Sequence, residues 1–134
     1  MDDIINKIIE KKNFKDIPIS DFAPADKWSD MIAKQLGDKM KTTQLRKFFT
    51  EIKLMEQKNK GKDLNAPFSD PKLFMLIPHL AYAKARKLII PKFYDLMKTI
   101  IGDGNSGKIK TIGDYQRFVE FMTAIVAYHK QYSK

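Results

Sequence analysis

Apolar residues recur at helical spacing along most of this chain, and this periodicity constrains the fold more than any other feature of the sequence. The clearest case runs from Leu45 to Met55, where apolar side chains follow the i, i+3, i+4, i+7 pattern of an amphipathic helix. No stretch keeps the period-2 alternation of β-branched residues that is typical of a half-buried strand. The sequence therefore predicts an all-α fold.

Capping and breaking residues mark the ends of the predicted helices. Gly37 is a natural helix stop, and Asp70 followed by Pro71 combines a capping side chain with proline at the first helical position. We predict helices over about residues 26–37, 42–57, 70–87, 91–101 and 111–132. The predicted fold is a single-domain bundle of about five helices that occupies residues 26–134.

Residues 1–25 have a different pattern from the rest of the chain. Isoleucines at helical spacing between Ile4 and Ile9 allow a short amphipathic helix. Pro18 and Pro24 then interrupt a mixed polar stretch in which no apolar periodicity continues. We expect this segment to be an N-terminal arm that docks loosely on the bundle.

The charge balance of the chain is strongly basic. There are 25 Lys and Arg residues against 16 Asp and Glu residues, which gives a net charge of +9. Arginine occurs only at Arg46, Arg86 and Arg117, so the excess is almost entirely lysine. Lysine neutralises phosphate as a point charge, whereas arginine is the side chain suited to bidentate base recognition. The composition favours contact with a nucleic-acid backbone, with a merely solvated lysine-rich surface as the alternative.

Several kinds of reactive site lack the residues that they need. The chain has no Cys, which excludes a disulfide scaffold, a cysteine-based zinc site and a cysteine nucleophile. The loop from Gly102 to Lys108 has glycines at the spacing of a phosphate-binding loop, but Ile109 stands where Ser or Thr would bind magnesium. His79 and His129 have no second ligand at metal-binding spacing, and we predict that both are structural. We expect no cofactor, no metal and no enzymatic activity.

We also expect neither a targeting segment nor a membrane segment. The chain begins with Met1-Asp2-Asp3 and lacks the apolar region of a secretory signal peptide. No apolar run approaches the roughly 18 residues that a membrane-spanning helix needs. Because the absence of Cys also fits a reducing compartment, the expected location is the cytoplasm.

Basic residues cluster at two of the predicted helices. The candidate nucleic-acid-binding residues are Lys41, Arg46, Lys47 and Lys53, on or just before helix 42–57, and Lys84, Arg86 and Lys87, at the end of helix 70–87. If the two helices pack side by side, their basic edges form one groove. Tyr82 and Tyr94 are then candidates to stack on bases that enter it.

Three segments together resemble a known family. Residues 43–49 read Thr-Gln-Leu-Arg-Lys-Phe-Phe, residues 80–86 read Leu-Ala-Tyr-Ala-Lys-Ala-Arg, and residues 118–128 form a Phe-rich closing helix. In their order and spacing they resemble the small subunit of the type III-A CRISPR interference complex, the Csm complex. The resemblance covers roughly residues 40–132. One departure is Ala85, where members of the family often have Gly before the Arg.

The resemblance implies a fold, a set of partners and a role without catalysis. Members are five-helix bundles whose copies stack head to tail in a ribonucleoprotein filament. They contact guide RNA and target RNA, mainly through the target backbone, and pack against the backbone nuclease subunit and the large signalling subunit. By position, Arg46, Lys47 and Arg86 are the implied RNA contacts. Charge placement alone adds Lys41, Lys53, Lys84 and Lys87.

Two alternatives remain open at the level of the sequence. The first is the small subunit of the related type III-B complex, which is also a basic helical bundle. The second is a helical protein-interaction module with no direct RNA role, whose positive charge serves only solubility. An enzyme is the least supported reading, because no carboxylate pair or nucleophile stands out in the sequence.

Overall fold

A computed structural model describes residues 1–103 and 105–133 of the chain. These residues contain seven α-helices and no strand, only one isolated β-bridge, which confirms the all-α prediction. The helices are α1 Asp2–Ile9, α2 Ile19–Phe22, α3 Trp28–Leu36, α4 Thr42–Lys58, α5 Lys72–Ala85, α6 Pro91–Ile101 and α7 Ile112–Tyr132. Gly104, in the predicted glycine-rich loop, and Lys134, at the end of the predicted bundle, lie outside the described residues.

The five longest predicted helices correspond to α3 to α7, so the difference in number comes from the N-terminal segment. There α1 forms at the isoleucine pattern, and α2 is a single turn. A four-residue helix is too short to leave a periodic signal in the sequence. Short 3₁₀ turns at Phe14–Asp16 and Gly37–Lys39 complete the connections.

The α7 helix is the central element of the fold. It packs against α2, α3 and α4 and against both 3₁₀ turns. Its side chains are buried on more than one face, and those fully or almost fully covered include Tyr115, Phe118, Phe121, Met122 and Ile125. A helix that is apolar over so wide an arc must be surrounded by other elements.

The expectation of a loosely docked N-terminal arm is wrong. Phe14 and Phe22 are completely or almost completely buried, and both contact α7. The Phe14 ring meets Phe118 and Phe121 edge-on at centroid distances of 5.9 and 5.4 Å, and Phe22 meets Phe121 at 5.4 Å. Burial of such large rings strongly favours docking. The apolar periodicity of the sequence does not predict this docking, because Phe14 and Phe22 lie in turns too short to show a repeat.

The Asp114 carboxylate ties this segment to the start of α7. It is fully buried and accepts backbone N–H bonds from Lys15 at 2.9 Å and from Lys110 and Thr111 at 3.0 Å. The Thr111 side chain in turn accepts the N–H of Asp114, which completes a capping box. One side chain therefore caps the central helix and also holds a turn that is distant in the sequence.

Polar bonds at the other end of α7 hold α3. Tyr132 donates to Asp30 at 2.5 Å, and Asp30 also accepts the backbone N–H of Asp26 at 2.8 Å. These bonds lower the pKa of Asp30 and raise the pKa of Tyr132. The buried His129 bonds to the Gly37 carbonyl at 2.8 Å, which agrees with the structural role predicted for it.

We predict that Asp114→Asn destabilises the protein by about 2–3 kcal/mol, because an amide cannot accept from all three backbone donors. Urea denaturation followed by circular dichroism measures the change. Asp16→Asn removes the same charge from an exposed position and should change the free energy of unfolding by less than about 0.5 kcal/mol. Equal stability of the two variants would contradict the role assigned to Asp114.

The Asp30–Tyr132 bond predicts a pH dependence of stability. Because the pKa of Asp30 is lower in the folded state, its contribution is present above the ordinary carboxyl pKa and is lost as the pH falls through the folded value. Wild type should therefore exceed Tyr132→Phe in stability at pH 6, and the gap should narrow in acid. Denaturation curves at a series of pH values measure this gap, and a gap that is constant into acid would contradict the assignment.

Candidate nucleic-acid interface

The α4 and α5 helices pack against each other and leave a groove between them, which we call the α4–α5 groove. Its volume is about 490 Å³, within the range of clefts that hold small ligands. The lining residues are Gln44, Lys47, Phe48, Glu51, Leu76, His79, Leu80, Tyr82, Ala83, Arg86 and Leu88. The periodicity of α4 buries Phe48 and Ile52 and leaves Lys47 exposed beside the groove.

Two of the seven predicted site residues meet in this groove. Lys47 lies on α4, and Arg86 directly follows α5. Both are exposed, and within residues 1–103 and 105–133 neither forms an ion pair with a carboxylate. The Arg86 guanidinium instead lies 5.7 Å from the centroid of the Tyr82 ring and 3.5 Å from its hydroxyl. The groove therefore presents two cations and one exposed aromatic ring.

The structure places three other candidates on α4 away from this groove. Arg46 lines a separate cleft between α4 and α7, beside Thr42 and Lys130. Lys53 lines a separate cleft near the end of α4 and forms an ion pair with Glu56 at 2.6 Å. Lys41 is exposed at the N-cap of α4. The basic side chains of α4 thus face different neighbours, and even the consecutive residues Arg46 and Lys47 line different clefts.

The remaining candidates lie at the end of α5. The Lys84 ammonium sits over the Tyr94 ring, 4.7 Å from its centroid, and Lys98 approaches the same ring at 5.9 Å. Lys87 is exposed and has a positive φ of 60°, so the chain turns sharply just after the helix. Tyr94 is half-buried and already contacts two cations, whereas Tyr82 is exposed.

His79 and Glu51 form a contact that sequence spacing could not reveal. His79 Nδ1 lies 3.8 Å from Glu51 Oε2, and both residues line the α4–α5 groove. Although Lys47 is spaced to pair with Glu51 along α4, no such ion pair forms among the described residues. His79 is thus an exposed groove residue with a carboxylate neighbour, whereas His129 is buried.

An exposed apolar patch adjoins the groove. It consists of Leu54 and Met75, which are 55 and 52% exposed, respectively. Leu54 and Met75 line a second cleft, which shares Glu51 and His79 with the α4–α5 groove. Lys58 and Lys72 also line this cleft, and the Lys72 ammonium lowers the pKa of Lys58. Leu54 falls outside the i, i+3, i+4, i+7 pattern that runs from Leu45 to Met55, so the sequence already separates it from the core face of α4.

The family of the chain can be established by comparison with known proteins. The model of the family described as Csm2 Type III-A matches residues 19–134, which include every helix from α2 to α7. The chain belongs to the Csm2 type III-A family. It is thus a small subunit of the type III-A Csm complex, and the resemblance read from the sequence is confirmed. No curated protein and no solved structure matches the chain.

Membership of the Csm2 family favours type III-A over the type III-B alternative. It also places the candidate residues in context, because the α4–α5 groove lies wholly within the matched residues. Among the described residues, no three His, Asp or Glu side chains converge as metal ligands. No helix in this part of the chain combines the length and apolarity required to cross a membrane.

The exposure of Arg86 predicts that it can be replaced without loss of stability. Arg86→Gln should change the free energy of unfolding by less than about 0.5 kcal/mol, since no carboxylate pairs with it among the described residues. Arg117→Gln is the matched comparison. Arg117 donates to the carbonyls of Lys15 and Ile17, so its loss should cost about 1–3 kcal/mol. Chemical denaturation measures both, and unfolding of the Arg86 variant would identify a structural role.

Proposed function

We propose that this Csm small subunit binds RNA through its phosphate backbone, without sequence specificity and without catalysing a reaction. The ligands are guide RNA and target RNA within the type III-A complex. In this role the subunit supports RNA-guided interference against foreign nucleic acid. The proposal rests on membership of the Csm2 family, on the net charge of +9 and on the geometry of one groove.

The observation that carries the proposal is the meeting of Lys47 and Arg86 in the α4–α5 groove. Lys47 lies on α4 and Arg86 directly after α5, and neither has a carboxylate in ion-pair distance among residues 1–103 and 105–133. Exposed cations that no carboxylate neutralises are available to neutralise phosphates. Lys84 and Lys87, exposed at the same end of α5, extend the positive surface beyond the groove.

Backbone contact suits a subunit that must accept any guide sequence. Phosphate contacts hold the RNA in position but carry no sequence information directly. Lysine provides such contacts and predominates among the basic residues. Lys41, Arg46 and Lys53 lie outside the groove, so we assign them to peripheral contacts. Lys53 is the weakest candidate because Glu56 already pairs with it.

The partners within the complex need further surfaces. We propose that the subunit contacts the backbone nuclease subunit, the large signalling subunit and further copies of itself. The exposed patch of Leu54 and Met75 supports a protein contact, because apolar side chains grouped on a surface mark interaction sites. We place the assembled complex in the cytoplasm, where guide and target RNA would meet, and we assign the subunit no cofactor.

We predict that Lys47→Glu combined with Arg86→Glu weakens binding of single-stranded RNA of random sequence. In a titration across a salt series, each lost phosphate contact should reduce the slope of log K against log salt by about 0.7. Electrophoretic or fluorescence assays with a labelled RNA provide the affinities. The variant should remain folded, because both side chains are exposed.

Lys7→Glu combined with Lys27→Glu is the matched control. It makes the same change in net charge at a cleft between α1 and α3. If both double variants weaken binding equally, the groove has no special role and only the total charge matters. If wild type binds a partner subunit in a salt-insensitive way but binds no RNA, the protein-interaction module becomes the better description.

A further inference from the structure

We propose that the α4–α5 groove accepts an unpaired RNA base, which stacks on the ring of Tyr82. This inference rests on the proposed function, since the same RNA would supply both the base and the flanking phosphates. Beyond the proposed function, it specifies which part of the RNA enters the groove, namely a nucleobase with a flat apolar face. It also gives Tyr82 a role that backbone contact alone does not require.

The first observation is the exposure of Tyr82. At 64%, it is the most exposed large hydrophobic residue among those described. Tyr82 lines the concave groove together with Lys47 and Arg86 and does not stand alone on a convex surface. Arg86 holds one edge of the ring through its hydroxyl, at 3.5 Å. An aromatic side chain that shares a groove with two cations combines a stacking platform with phosphate contacts.

The second observation is the division of the groove into an apolar floor and a polar rim. Phe48, Leu76 and Leu80 are buried side chains that line it, so its floor is apolar. Glu51 and His79 meet at 3.8 Å beside this floor. A phosphate would gain little from an apolar floor. A base, by contrast, has apolar faces to bury and polar edges that can bond to the rim.

The third observation is the contrast between the two tyrosines considered for stacking. Tyr94 is half-buried, and its ring is already approached by Lys84 at 4.7 Å and by Lys98 at 5.9 Å. Its face is therefore occupied by cations of the same chain. Tyr82 has a single such neighbour, Arg86, at 5.7 Å. The structure thus separates two residues that the sequence treats alike.

Stacking is compatible with an interface that ignores sequence. Every base has a π-face, so an aromatic platform accepts all four bases with similar affinity. The groove volume of about 490 Å³ leaves room for purines and pyrimidines alike. The expected preference is thus for unpaired over paired nucleotides, because a base within a duplex cannot present its face to the ring.

The test measures the affinity of the full chain, at low salt, for two single-stranded RNAs of equal length. One RNA carries random bases, and the other has the same sugar-phosphate backbone without bases. Tyr82→Leu should lower affinity for the base-bearing RNA about fivefold or more, and leave affinity for the abasic RNA unchanged. Tyr82→Phe keeps the ring, so it should bind the base-bearing RNA more tightly than Tyr82→Leu. An RNA that carries 2-aminopurine gives a direct signal, since stacking quenches its fluorescence.

The outcomes separate this inference from the function on which it rests. If Tyr82→Leu binds both RNAs as tightly as wild type does, or loses the same factor of affinity for both, stacking is overturned while backbone contact stands. If wild type binds neither RNA, both the backbone contact and the base site are overturned. Quenching of 2-aminopurine by wild type and Tyr82→Phe but not by Tyr82→Leu supports the proposal, and equal quenching by all three overturns it.

Discussion

The burial of α7 is the constraint on which the rest of the structure depends. A 21-residue helix with aromatic and aliphatic side chains over a wide arc can be stable in water only if other elements cover it. The α3 and α4 helices, the α2 turn and the 3₁₀ turn at Phe14–Asp16 supply that cover. Phe14 and Phe22 are thus part of the core because the short turns that carry them cover α7.

The polar bonds of the interior follow from this arrangement. Asp114 and Tyr115 lie next to each other at the start of α7 and reach in different directions, to the turn at Lys15 and to the Ile52 carbonyl of α4. Burial raises the pKa of Tyr115, whose hydroxyl donates to that carbonyl at 2.5 Å. No buried side-chain nitrogen or oxygen in the described part of the chain lacks a hydrogen-bond partner. Because hydrogen bonds are directional, they fix the relative arrangement of the helices more closely than apolar burial alone would.

The candidate RNA surface is a secondary consequence of the same packing. Both α7 and α5 pack against α4, and α5 in turn packs on α6. The edge-on contact of Phe48 with Phe93, at a centroid distance of 5.8 Å, links α4 to α6 beneath the groove. Apolar contacts deeper in the molecule therefore set the positions of the elements that carry Lys47, Arg86 and Tyr82.

The sequence by itself determined the helical class, the ends of α3 to α7 to within a few residues, the basic surface and the family resemblance. These features depend on local periodicity, capping and composition, which a linear pattern records directly. The tertiary structure alone decided that Phe14 and Phe22 belong to the core. It also decided that Lys47 and Arg86 share a groove while Arg46 does not. The reason is that burial and shared grooves depend on how the helices pack against one another. Long-range burial against α7 determines that packing, and the spacing of residues along the chain does not record it.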